Sequence, residues 1–338
     1  MKKDDIILLK AVDHILDGAA GFPVLSDTEL ELSPDFCDFV KAHLEKVTEG
    51  DETKTCEFTE ESQMGQYLKT EFSPEGFVDG SRRIANHLYG FLNANPDIPS
   101  ADLLVSLFRH GGEEYLGILK MNYKSSYTHL TRSEEDGAHA NMIIRQEALL
   151  PSAGQKLQEA AVISLSDFSI RLAERKYEVN GEKVNYLSRL VLECRGPMST
   201  KHQLRAVEKA VQQIDRKYYP EEDLERKLQV KQVLCQELEE RGGIQVEAVK
   251  EKLYSSNEEM RREFEETMEE HHLQEAVIAP QNPSTVARIQ RQVLTTDTGI
   301  ELKIPTAQLG ENGNVEFITQ PDGHITVVIK NISALNGR

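Results

Sequence analysis

The stretch LLVSLFRHGGEEYLGIL, Leu103–Leu119, decides the fold. Two apolar runs flank Gly111-Gly112, and a two-glycine turn folds such runs back on each other as an antiparallel hairpin. A second stretch, RKYEVNGEKVNYLSRLVLE (175–193), repeats the arrangement around Asn180-Gly181. Asn-Gly supplies the two positive φ angles of a type I′ turn. Neighbouring hairpins build an antiparallel sheet, so the chain reads as α+β and not as a doubly wound parallel fold.

Toward the amino terminus, residues 6–16 and 22–32 read as extended segments joined by the turn-like Gly18-Ala19-Ala20-Gly21. Ser33-Pro34 then opens a helix, with Ser as N-cap and Pro in the first turn. Phe36, Phe39, Val40, Leu44 and Val47 recur at spacings of three and four and form its apolar face. A second helix is predicted from Ser81 to Leu92, with Ile84, Leu88 and Phe91 facing inward.

Toward the carboxyl terminus the character changes at Gly196-Pro197. From Ser199 to His272 the chain is charged, poor in Gly and helical in period, which predicts helices over 200–219, 221–241, 245–254 and 257–272. Ser256 and Glu259 are read as the capping box of the last, whose apolar stripe is Met260, Phe264 and Met268. Pro280 and Pro283 close this region. The tail returns to strands in IQRQVLTT, IELKIP, VEFIT and ITVVIKNI, with a hairpin turn at Pro321-Asp322-Gly323. The predicted architecture is a mainly antiparallel sheet with flanking helices (1–197), a helical segment near 199–272 within 198–279, and a strand-rich carboxyl-terminal tail (280–338).

The 338 residues are 39% hydrophobic and 28% charged, which is ordinary for a globular protein. No stretch approaches the roughly 20 apolar residues of a membrane span. The opening MKKDDIILLKAVDHIL is too interrupted by charge for an export signal. Cys37, Cys56, Cys194 and Cys235 are scattered, with no CxxC pair, and read as free thiols of a cytoplasmic protein. The formal net charge is −18, of which −12 lies in residues 1–200, −5 in 201–272 and −1 in 273–338. A protein that coats DNA with its whole surface would be basic, so any DNA contact here is a local patch on a repelling body.

Tests for chemistry come out negative. The phosphate-cradling motifs, the GxSxG elbow and HExxH do not occur. Gly310, Gly313 and Gly323 lie in turns between strands and introduce no helix. His271-His272 after Glu269-Glu270, and His139 near Asp136, do not set two ligands on one helical face, so no metal or cofactor is expected. Arg82-Arg83 reads as surface charge, and the acidic run Glu258 to Glu270 as a solvated helix face. The expectation is a protein that is not an enzyme.

One pattern stands apart. Each helical residue advances about 100°, so over 200–219 Leu204, Val207, Val211, Ile214 and Tyr218 share one arc about 80° wide. Lys201, Arg205, Lys209 and Arg216 share another, centred about 140–150° away. This basic stripe is either a solvated face neutralised by Glu208 and Asp215 or a row of contacts to DNA phosphates.

Four segments carry a family likeness: FRHGGEEYLGILKMNY, EKVNYLSRLVLECRG, STVARIQRQVLTTDTGIELKIPTAQLG and DGHITVVIKNI. With their order and spacing, the chain resembles the NdpA/YejK-type family of bacterial nucleoid-associated proteins over nearly its whole length. The resemblance implies a cytoplasmic, nucleoid-located, DNA-associated protein that acts as a homo-oligomer. It carries over no catalytic residue and no cofactor. The leading expectation is a non-catalytic protein that binds DNA without sequence preference or shapes it, with Lys201, Arg205, Lys209 and Arg216 as the contact. The alternative is an acidic protein-interaction module brought to the nucleoid by a DNA-processing partner. Behind that stands a metal-dependent nuclease or hydrolase.

Overall fold

The computed structural model of the chain describes residues 1–133, 139–219, 224–309, 313–320 and 324–334. Two compact units emerge, Met1–Pro197 and Met198–Arg338.

The first unit begins with β1 (Ile7–Leu16) and β2 (Val24–Leu25), followed by α1 (Pro34–Glu49), β3 (Lys54–Phe58), α2 (Gln63–Thr70) and α3 (Phe77–Ala94). Then come β4 (Ala101–His110), β5 (Glu113–Asn122), β6 (Lys124–Ser133), β7 (His139–Leu149), β8 (Glu159–Ser164) and β9 (Ile170–Ala173). The unit closes with β10 (Tyr177–Val179), β11 (Glu182–Val184), a helical turn at Leu187–Val191 and β12 (Cys194–Arg195). One eight-stranded sheet runs β12-β3-β9-β8-β5-β4-β1-β2, antiparallel at every step. The α+β reading with a mainly antiparallel sheet therefore holds.

Both turns named from sequence close hairpins. His110 pairs with Glu113 across Gly111-Gly112, and Val179 with Glu182 across Asn180-Gly181. All four turn residues have φ between 53° and 89°, the left-handed region that Gly and Asn reach at least cost.

Each face of the sheet buries its own core. On one side Val12, Leu103, Val105, Leu116 and Ile163 pack with Ile84, Leu88 and Leu92 of α3. On the other, Ala11, Leu104, Phe108, Leu119 and Val162 pack with Val40, Leu44 and Val47 of α1. Covered on both faces, β4 and β5 are near-continuous apolar runs instead of alternating ones, as their sequence shows. Each fully buried Leu or Val contributes about 1.5–3 kcal/mol. Ser33 caps α1 by accepting from the Phe36 amide at 3.3 Å.

Three local readings are corrected. Residues 22–32 hold only the two-residue β2, because Pro23 and Asp27 interrupt the run. The helix α2, absent from the sequence reading, is set by Ser62, whose hydroxyl accepts from the Gly65 amide at 2.8 Å. In the second unit the last long helix is capped by Asn257, not Ser256: the Asn257 side chain accepts from the Glu259 and Met260 amides. Its Oδ1 sits one residue closer to those orphan N–H groups.

The second unit comprises α4 (Thr200–Tyr218), α5 (Leu224–Arg241), β13 (Ile244–Gln245), α6 (Val246–Tyr254), α7 (Glu258–Glu270), β14 (Val277–Ile278) and α8 (Pro283–Gln290). Two hairpins follow, β15 (Arg291–Thr295) with β16 (Glu301–Pro305), and β17 (Val315–Thr319) with β18 (Ile325–Ile329). The Pro321-Asp322-Gly323 turn, Gly310 and Asp136 lie outside the described residues. Leu204, Val207, Val211 and Ile214 of α4 pack with Met260, Phe264 and Met268 of α7 and with Val249, Leu253 and Tyr254 of α6. A smaller cluster joins Leu228 of α5 to Ile304, Leu309 and Val315 of the tail. No helix among the described residues is long and apolar enough to cross a membrane.

Candidate nucleic-acid interface

The orientation of α4 follows from its apolar arc. Leu204, Val207, Val211 and Ile214 are buried and Tyr218 is half-buried, as their spacing predicts, with Ala210 joining them. That choice leaves Arg205, Lys209 and Arg216 exposed and Lys201 half-buried, on the far side of the helix. The four basic residues therefore share one face over nearly the whole length of α4. The first turn of the helix carries no acidic residue. The partial positive charge of the exposed amides there adds to the field of the stripe.

The two acids next to the stripe are held elsewhere. Glu208 accepts from the Arg288 guanidinium of α8 at 3.2 Å. Asp215 accepts from Nε of the buried Arg226 at 3.1 Å, and that guanidinium lies over the Tyr219 and Tyr254 rings. Among the described residues, Arg205, Lys209 and Arg216 make no ion pair. Lys217, on the flank of the stripe, is tied to Glu263 of α7. The neutralisation by Glu208 and Asp215 allowed by the sequence is thus not the arrangement found. No sequence signal identifies Arg226 and Arg288 as the competing partners, since they come from other helices. Of the other exposed basic residues in this unit, Arg291 opens β15, and Lys303 pairs with Glu301 at 3.1 Å.

The first unit holds a fully buried ion pair. Lys120 of β5 and Glu159 of β8 are opposite each other in the ladder and both are 1% exposed or less. Their 2.9 Å ion pair is completed by donors to Glu159 from Asn122 and Tyr177, each at 2.9 Å, and from the Tyr186 hydroxyl. Burial lowers the Lys120 pKa, and burial with the Glu159 charge raises those of Tyr177 and Tyr186. Every group points at another member of the cluster, so the arrangement is a fastening between strands.

Asp13 of β1 is held at a pKa of about 7, first by burial and then by the charge of Asp102 on β4. Tyr123 donates to Asp102 at 2.6 Å. His14 and His43 are fully buried, and burial takes both to about 4, helped by Arg82 and Lys46 respectively. The four cysteines are free. Among the described residues, no group of three or more His, Cys, Asp or Glu is placed to hold a metal ion.

Comparison with curated proteins finds no match. Residues 12–335 match the family model described as nucleoid-associated protein YejK.

Proposed function

The chain belongs to the YejK family of nucleoid-associated proteins, and from that premise we propose that it binds duplex DNA directly, through the outward face of α4. The observation that supports this reading is the electrostatic isolation of Arg205, Lys209 and Arg216. Their neighbouring acids are engaged by Arg226 and Arg288, and the apolar arc fixes their direction. Long basic side chains on one helix face reach phosphates without reading bases, so binding has little sequence preference. The acidic remainder of the protein limits how much DNA wraps around it. In this reading the protein works as a homo-oligomer at the nucleoid and performs no catalysis on nucleic acid.

Fluorescence anisotropy of a labelled duplex across a salt series tests the site. With Lys201, Arg205, Lys209 and Arg216 each neutralising one phosphate, log affinity falls against log salt with a slope close to −4 per protomer. Replacing all four by Gln flattens that slope. Unchanged slope and affinity move the contact to Arg288, Arg291 and Lys303. Magnesium- or manganese-dependent DNA degradation that disappears in a point variant overturns the non-catalytic reading.

A second reading is supported by the charge of the first unit. Its −12 disfavours DNA and suits a basic protein surface. In that reading a DNA-processing partner brings the protein to the nucleoid, and the purified chain shows no DNA binding at any salt.

A further inference from the structure

We propose that the ribbon formed by β6 and β7 is the surface through which two copies of this chain associate, by antiparallel pairing of β7 with its counterpart. The inference rests on the oligomeric reading above and supplies its interface.

The ribbon is a sheet of its own. Among the described residues, β6 and β7 pair only with each other, from Lys124 opposite Leu149 to Ser133 opposite His139. A two-stranded ribbon is at best marginally stable in water without a surface to pack against. This one is exposed on both faces and carries large apolar side chains there. Ile143 is 80% exposed, Tyr127 73% and Leu130 42%, with Ile144 and Leu150 also exposed. Among the described residues the outer edge of β7 is long and unpaired, the kind of edge that templates a further strand.

Charge argues against DNA as the occupant. Between residues 124 and 149 the basic residues are Lys124, Arg132 and Arg145, against Glu134, Glu135, Asp136 and Glu147. A ribbon that reads DNA would be basic.

The sequence of β7 argues for a second copy. From Met142 to Leu150, the residue just past its end, it reads Met142-Ile143-Ile144-Arg145-Gln146-Glu147-Ala148-Leu149-Leu150. This is a palindrome in hydropathy with opposite charges on either side of Gln146. A two-fold axis at Gln146 sets each Arg145 opposite the other copy's Glu147, and one apolar flank against the other. Such self-complementarity is what an isologous interface requires. In a single chain Arg145 pairs with Glu147 at 3.5 Å and donates to Ser125 at 3.3 Å, exposed contacts that a partner's opposite charges can replace.

The test is the molar mass of the full-length chain by analytical ultracentrifugation over a concentration series. Wild type is expected to be dimeric. Arg145→Glu sets Glu against Glu, and Glu147→Arg sets Arg against Arg. Opposed like charges in two symmetric pairs weaken association about tenfold or more. An equimolar mixture of the two single variants restores both pairs as opposite charges, so its dimerisation recovers. Ile143→Thr weakens association without altering charge. Thermal unfolding of each variant at the wild-type temperature verifies that the chain is intact. A monomeric wild type overturns both this proposal and the oligomeric reading. A wild-type dimer that survives every variant overturns the ribbon alone and leaves the oligomeric reading standing. Dissociation by the single variants without recovery in the mixture overturns the pairing about Gln146.

Discussion

Charge is used in opposite ways at two places in the molecule, one in each unit. In the first, Lys120 and Glu159 are sealed between strands and surrounded by hydroxyl and amide donors. In the second, Arg205, Lys209 and Arg216 stand in water on α4. A buried pair is expensive to break because its surviving member is left uncompensated. An exposed cation contributes almost nothing to folding. The difference teaches that sensitivity to mutation marks the fastening, while the surface offered to a partner is nearly silent in a stability measurement.

The largest effect that sharpens this contrast is expected at Glu159. Glu159→Gln leaves Lys120 buried without its counter-charge and costs about 3–5 kcal/mol. Urea unfolding at neutral pH reads this directly, and a loss under about 1 kcal/mol would show the pair to be solvated. Next come the buried histidines. Because burial lowers their pKa to about 4, the unfolded chain binds protons that the folded one refuses. The stability they contribute is present above pH 6.5 and is lost as pH falls toward 4, up to about 3 kcal/mol for each. His43→Leu removes one share, so its urea midpoint falls less than that of wild type between pH 7 and 4.5. Parallel falls would show that the His43 ring protonates freely in the fold.

Asp13 has the opposite sign. Its folded pKa of about 7 lies above that of the unfolded chain, so the fold loses stability as pH rises from 4 to 7. Asp13→Asn is expected to stabilise the protein at pH 8 by on the order of 1 kcal/mol, after allowance for its partial exposure. The gain vanishes below pH 4. An equal gain at both pH values would assign the effect to packing. The smallest effect belongs to α4: the quadruple Gln variant stays within about 0.5 kcal/mol of wild type while its DNA salt slope flattens. A large loss of stability would place those side chains in the fold's own interactions.

How much of this was legible in sequence depended on distance along the chain. Gly111-Gly112 and Asn180-Gly181 declare hairpins because a two-residue turn is a local property. The buried arc of α4 is legible for the same reason, since 3.6-residue spacing is local. The Lys120–Glu159 pair is not, because only the register of β5 with β8 brings the two residues together. The helix α2 is short and contains Gly65, so its period is weak. The ribbon segments KSSYTHLTRS and HANMIIRQEAL mix polar and apolar residues without regular alternation, because neither face packs on a core. At the candidate interface, the direction of the stripe was legible, but the engagement of Glu208 and Asp215 by other helices was not.

The eight-stranded sheet ends on each side in a strand of two residues, β12 and β2. Short edge strands offer a stray chain too few open amides and carbonyls to add to. At these two corners, beside His14-Ile15 and Glu57-Phe58, the sheet gives a stray chain little to pair with. Replacing Pro23 and Asp27 with β-branched residues would lengthen β2 and give that corner the longer open edge it now lacks.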